Sequence, residues 1–427
     1  MSDKTRNGKD VEDLVEVICT RMFFSDFVVR SPKYTKNDGQ EKEAADLLVP
    51  FGEYLLAFQV KSKKEHKKAS KKTAVEFDRI SRVVNDAVEQ LKTIKRVIEN
   101  NWLKNLTTVK GFEIPFDPST HEKVIGIVII DLIGEEVFSK DERTEFIQSY
   151  VSKHGMPIHV LMRDEFDALS TELDTLPDFI RFFDIRKLML DHGLLLPTVS
   201  ILDFLAFYKT DPDEVDRALD NDIHLYLEDE IWESYQSRFF DVIKRRNELN
   251  KPSYFIDAII DFLHTSVGFT LPNDVTKELG FTGQGSIEGY LATVRELASL
   301  SRLERRILGE RLLRCMNRAE NQEQSYSLLM NEKDASAFLV LSMSGKRSKR
   351  QLRLHLLCAM AYCYLNLKKI IGIVTEPLST KYRSYDALGL KNVEFDNHDD
   401  LVEQAENLFS KPYRPEITEY KGRIGDA

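Results

Sequence analysis

The sequence predicts an α/β protein in two parts: a mixed sheet flanked by helices over 1–195, then a mostly helical part over 196–427 that carries a small β-α-β sheet. Three observations carry this expectation. The segment 44–63, AADLLVPFGEYLLAFQVKSK, holds two apolar runs around Pro50-Phe51-Gly52, the pattern of a β-hairpin turning near 50–53. Downstream, Ile80, Val83, Val84, Ala87, Val88, Leu91, Ile94 and Ile98 form one continuous stripe at helical spacing. The run KVIGIVIIDLIG at 123–134 is apolar and β-branched, as a buried central strand is.

The remaining elements follow in order. Val11, Leu14, Val15, Ile18 and Met22 mark an opening helix, with Glu12 and Glu16 one turn apart on its polar face. A turn-rich polar loop spans Ser31-Pro32 to Asn37-Asp38-Gly39. MPIHVLM at 156–162 reads as another short strand, followed by helices near 163–173 and 177–190. Leu196-Pro197 marks the boundary, and helical patterns then continue to about 320. SAFLVLSMS at 336–344, a helix near 347–367 and KIIGIVTEP at 369–377 complete the β-α-β unit.

At 427 residues, with 42% hydrophobic and 30% charged residues, the composition is that of a folded globular chain, and no apolar run reaches bilayer-spanning length. The opening MSDKTRNGKD lacks the apolar core of a secretion leader, so the expectation is a cytosolic protein without a membrane partner. Four scattered cysteines form no CxxC pair and read as buried hydrophobes, not as a zinc site or disulfide framework. The net charge of −10 is unevenly spread: residues 1–110 hold 22 Lys+Arg against 17 Asp+Glu, the rest 38 against 53. A basic first segment suits a protein that meets a polyanion with one end.

The chemistry concentrates on the hairpin. Alternation puts Gln59 and Lys61 on one face of the second arm, with Val60 turned into the core. A turn near 51–52 sets Asp46 roughly opposite Ala57, one diagonal step from Gln59. A carboxylate and an amide offer hard oxygen ligands to a divalent cation, and a neighbouring lysine steadies an anionic transition state. Seven lysines lie between Lys61 and Lys72; Lys63, Lys64, Lys67, Lys68, Lys71 and Lys72 are candidates for sequence-blind contacts to a phosphate backbone.

The segment Asp46-x12-Gln59-Val60-Lys61 resembles the PD-(D/E)XK, or restriction-endonuclease-like, nuclease superfamily in its QxK variant, found in modification-dependent restriction enzymes and NERD-like proteins. The resemblance covers about residues 8–162. Glu12 stands on the opening helix where these families place an extra acidic ligand, and Glu43 lies in the similar lead-in Glu43-Ala-Ala-Asp46. Ala87-x-x-Gln90-Leu91 falls where relatives carry a glutamine-containing motif. The resemblance implies Asp46, Gln59 and Glu12 as ligands of Mg²⁺ or Mn²⁺, with Lys61 and Glu43 beside them. It also implies phosphodiester hydrolysis, DNA as substrate, a homo-oligomer and a role in antiviral defence. The second part is expected to supply recognition, regulation, oligomerisation or docking of a partner protein. Ala45 replaces the usual proline before the acid, and an amide at Gln59 leaves more of the charge to Glu12 or Glu43. A catalytically silent nucleic-acid-binding or scaffold protein of the same fold is the alternative.

Three weaker signals complete the reading. Arg350-x4-His355 has the spacing of the RxxxxH motif of HEPN ribonucleases, although His355 reads better as a packing residue. Asp396-Asn397-His398-Asp399-Asp400 reads as a polar turn before a helix rather than a cation site. FTGQGS at 281–286 lacks a preceding strand and a Walker lysine, so no nucleotide loop is expected.

Overall fold

The computed structural model describes residues 8–36, 39–64, 73–133, 146–150, 156–227, 230–265, 287–331 and 335–409. The chain forms two compact units that divide between Val242 and Ile243. The boundary read at 196 falls inside the first unit, because Phe204 packs against Phe182 and Arg186 donates to Val199 O at 2.7 Å. These contacts hold the helices after 200 onto those before it.

The first unit opens with α1 (Gly8–Phe23), then β1 (Val29–Arg30), β2 (Lys33–Thr35) and β3 (Glu41–Glu43). The segment read as a polar loop therefore contains a small antiparallel hairpin, β2 with β3, joined in register at Tyr34 and Lys42. The central hairpin is β4 (Leu47–Phe51) and β5 (Tyr54–Lys64), followed by α2 (Thr73–Glu99). After β6 (Asn105–Thr107) and β7 (Glu113–Pro115) come β8 (Lys123–Ile133), β9 (Ser149–Tyr150) and β10 (Ile158–Met162). The strands build a six-stranded mixed sheet in the order β1-β4-β5-β8-β10-β9. β5, β8 and β10 run parallel, while the β4 and β9 pairings are antiparallel. A parallel pair cannot be joined by a tight turn, and α2 provides the crossover from β5 to β8.

Side-chain alternation explains why both faces are covered. On one face Leu55, Ala57, Val128 and Ile130 pack with the α2 stripe of Ile80, Val84, Ala87, Val88, Leu91 and Ile94. On the other, Phe58 meets Phe23 of α1 and Phe166 of α3 (Arg163–Glu172). α4 (Leu176–Asp191) adds Phe179 and Phe183 to the aromatic layer. Arg186 is fully buried on α4 and held by Ser149 at 3.1 Å. α5 (Ile201–Thr210), α6 (Pro212–Asn221), α7 (Ile231–Arg238) and α8 (Phe240–Leu249) follow.

The second unit contains α9 (Lys251–Thr265), α10 (Ile287–Ala298) and α11 (Arg302–Arg318), then β11 (Gln324–Asn331) and β12 (Ser336–Met343). α12 (Arg347–Tyr364), β13 (Lys369–Thr375), β14 (Tyr385–Lys391) and α13 (His398–Phe409) complete it. β12 and β13 are parallel across α12, as expected, and β11 and β14 extend the sheet to four strands. All four cysteines are buried. Among the described residues no helix is long and apolar enough to cross a membrane.

Candidate active site

The hairpin turn decides what meets what. Gly52, at φ +56°, and Glu53 make a two-residue connection, so Phe51 pairs with Tyr54 and Leu47 with Phe58. The register is therefore displaced from the one read in the sequence: Asp46 lies beside Phe58, Gln59 and Val60 instead of opposite Ala57.

At Asp46 the chain steps out of the regular ladder and is pinned three times. Its amide donates to Phe58 O at 3.1 Å, and its carbonyl accepts from Ser31 N at 2.9 Å. Its carboxylate Oδ2 accepts from Val60 N at 2.5 Å, taking a bond that a main-chain carbonyl would ordinarily make. Oδ1 accepts no hydrogen bond from the described residues. Burial pushes the Asp46 carboxyl above its ordinary value, the Val60 amide and the Lys61 charge pull it back, and the Glu12 and Glu43 charges raise it further. Both glutamates are therefore close enough for their charge to act on Asp46.

On the same arm Gln59 is 5% exposed, and the Lys61 ammonium donates to its Oε1 at 3.2 Å. Lys61 also donates to Gln90 Oε1 on α2 at 2.8 Å. Gln90 thus joins a constellation for which the sequence offered only a helical motif. The lysine is aimed by one amide from its own strand and one from the crossover helix.

The α1 carboxylates reach the region from the other side. Arg30, at the edge of β1, contacts Asp13 at 2.6 Å, Glu16 at 2.7 Å and Glu12 at 3.9 Å. This cluster was missed in the sequence because nothing local ties a two-residue strand to a helix 14 residues before it. Glu43 is exposed on β3, where it pairs across the small hairpin with Lys33.

The residues fit a hard divalent cation in donor type. Asp46 presents an oxygen without a hydrogen bond, two further carboxylates act on it, and Gln59 adds an amide oxygen. Among the described residues no group of three or more His, Cys, Asp or Glu is arranged to hold a metal ion, so such a set depends on the amide.

Of the candidate phosphate contacts, Lys63 and Lys64 lie on β5 opposite Leu132 and Ile133, while Lys67, Lys68, Lys71 and Lys72 fall outside the described residues, as does FTGQGS. In the second unit the Arg350 guanidinium is engaged by Glu376, Ser384 and Gly345 O at 2.5 Å each. Burial lowers His355 to a pKa of about 4, which unsuits it to general acid–base work near neutrality. Asp399 and Asp400 occupy the first turn of α13, in keeping with a polar turn before a helix. No protein-family model, curated protein or solved structure matches the chain.

Proposed function

We propose that the first unit is a Mg²⁺- or Mn²⁺-dependent nuclease of the PD-(D/E)XK type, hydrolysing phosphodiester bonds, with DNA as the substrate and the cytoplasm as its place of action. A role in defence against foreign DNA follows from the resemblance. The observation that carries the reading is the placing of Lys61: its ammonium is held by Gln59 and Gln90 on the strand that also gives the Val60 amide to Asp46.

Asp46, Glu12 and the Gln59 amide would hold the cation. When bound, it supplies positive charge that neutralises the phosphate and acidifies water. Lys61 orients the attacking water and steadies negative charge growing on the phosphate, with its two amide partners fixing the ammonium before the substrate arrives. Val60 N–H holds one Asp46 oxygen, leaving the other to face the reaction. The lysines that follow β5 take the neighbouring phosphates.

The test is cleavage of supercoiled plasmid with Mg²⁺ or Mn²⁺ by the wild type, Asp46→Ala and Lys61→Ala. The wild type is expected to nick or linearise it, EDTA to stop the reaction, and both variants to bind without cutting. The scarcity of carboxylates around Asp46 favours one rival, a silent nucleic-acid-binding protein. Wild type that binds plasmid but leaves it intact with either metal selects that rival.

A further inference from the structure

Three acids of α1, Glu12, Asp13 and Glu16, face a single guanidinium, and they are not held alike. Arg30 Nη2 stands 2.6 Å from Asp13 Oδ1, and Nη1 donates to Glu16 Oε2 at 2.7 Å. Glu12 Oε2 is 3.9 Å from Nη2, outside hydrogen-bonding distance. Arg30 is itself fixed to the hairpin: it pairs in register with Leu47, and the next residue, Ser31, gives its amide to the Asp46 carbonyl at 2.9 Å. The guanidinium is thus a short link between the helix acids and the backbone of Asp46.

We propose that Arg30 is a positioning residue: by engaging Asp13 and Glu16 with its two nitrogens it selects Glu12 as the α1 carboxylate that turns to Asp46 and completes the cation's ligand set. The inference rests on the nuclease reading. Planarity is what makes arginine suitable, since its fork meets two carboxylates at once from a fixed direction, whereas a lysine ammonium is a single point charge. The field at Asp46 agrees, for Glu12 is the α1 acid whose charge raises that carboxyl. Without Arg30, Asp13 and Glu16 lose their partner, and any of the three acids can serve the cation. Selection, more than affinity, is the property at stake, because removing a positive charge also favours cation binding in itself.

A double-mutant cycle on the full chain tests this, read as Mn²⁺ binding by electron paramagnetic resonance without nucleic acid. Glu12→Gln is expected to weaken Mn²⁺ binding about tenfold in the wild-type background, the scale typical of a supporting ligand. In an Arg30→Met background the same change should cost roughly threefold or less, since Asp13 or Glu16 substitutes. Arg30→Lys, the conservative variant, is expected to fall between and serves as the background if Arg30→Met does not fold. Equal losses in both backgrounds overturn the role of Arg30 while leaving the metal site standing. No Mn²⁺ binding by the wild type, or binding that survives Asp46→Ala, overturns the nuclease reading itself.

Discussion

Lys61 and Gln90, 29 residues apart, are joined by a 2.8 Å hydrogen bond from the ammonium to the amide oxygen. The bond crosses from the end of the hairpin to the crossover helix, so the direction of the lysine is set by tertiary packing as well as by its strand. Ala87 and Leu91, which flank Gln90 on α2, are fully buried and seat the helix on the sheet. Gln90 itself is exposed and therefore dispensable for that packing.

Gln90→Met keeps the length and helix propensity of the side chain and removes the acceptor. The loss of one such bond is worth about 1 kcal/mol, which predicts a roughly fivefold slower single-turnover cleavage with unchanged plasmid affinity. An unchanged cleavage rate would show that Gln59 alone suffices to aim Lys61.

Asp46→Asn keeps an oxygen for the Val60 amide and removes the charge. Because the folded-state pKa of Asp46 is raised, its ionised form is less favourable in the fold than in the unfolded chain. The stabilising contribution is therefore complete below the ordinary value of 3.8 and is lost as pH climbs through the raised one. In metal-free buffer at pH 7 the variant should melt above the wild type, and the gap should close as pH falls toward 4. Mn²⁺ should raise the wild-type melting temperature and leave the variant's unchanged. A variant that melts lower than wild type at pH 7 contradicts this electrostatic account.

Replacing Lys67, Lys68, Lys71 and Lys72 together by Gln should weaken plasmid binding without a change in fold. The slope of log affinity against log salt should flatten by roughly 0.9 for each phosphate that these lysines no longer neutralise. An unaltered slope removes them from the binding surface.

Gly309 predicts a cost in the second unit. A Cβ there would stand 2.0 Å from Pro252 O, where α11 crosses the start of α9. Backbone cannot yield as a side chain can, so Gly309→Ala should destabilise by about 1–3 kcal/mol in urea unfolding despite alanine's better helix propensity.

What was legible in the sequence were the elements with strong periodicity. The α2 stripe, the β8 run and the β12-α12-β13 unit all lie where their patterns put them, because each buries a continuous apolar face. β11 and β14 were not legible. Each lies at an edge of its sheet, and Gln324, Ser325 and Ser327 of one, or Asp386 and Gly389 of the other, break the apolar signal. Within the site, the residue types and the shared face of Gln59 and Lys61 could be read. The register could not, since it hinges on whether the turn centres on Gly52-Glu53 or one position earlier. Arg30 and Gln90 act through contacts between elements, about which spacing along the chain is silent.

The two-residue turn at Gly52 has a consequence for how this chain can vary. Strand arms locked by so short a connection work like a gauge: the count from Asp46 to Lys61 fixes which side chains are neighbours across the strands. One added residue at the tip slides one arm against the other and turns alternate side chains to the opposite surface. Length changes should therefore be tolerated where β3 leads into β4 far better than at the tip, and a survey of insertions along 40–60 would trace that difference directly.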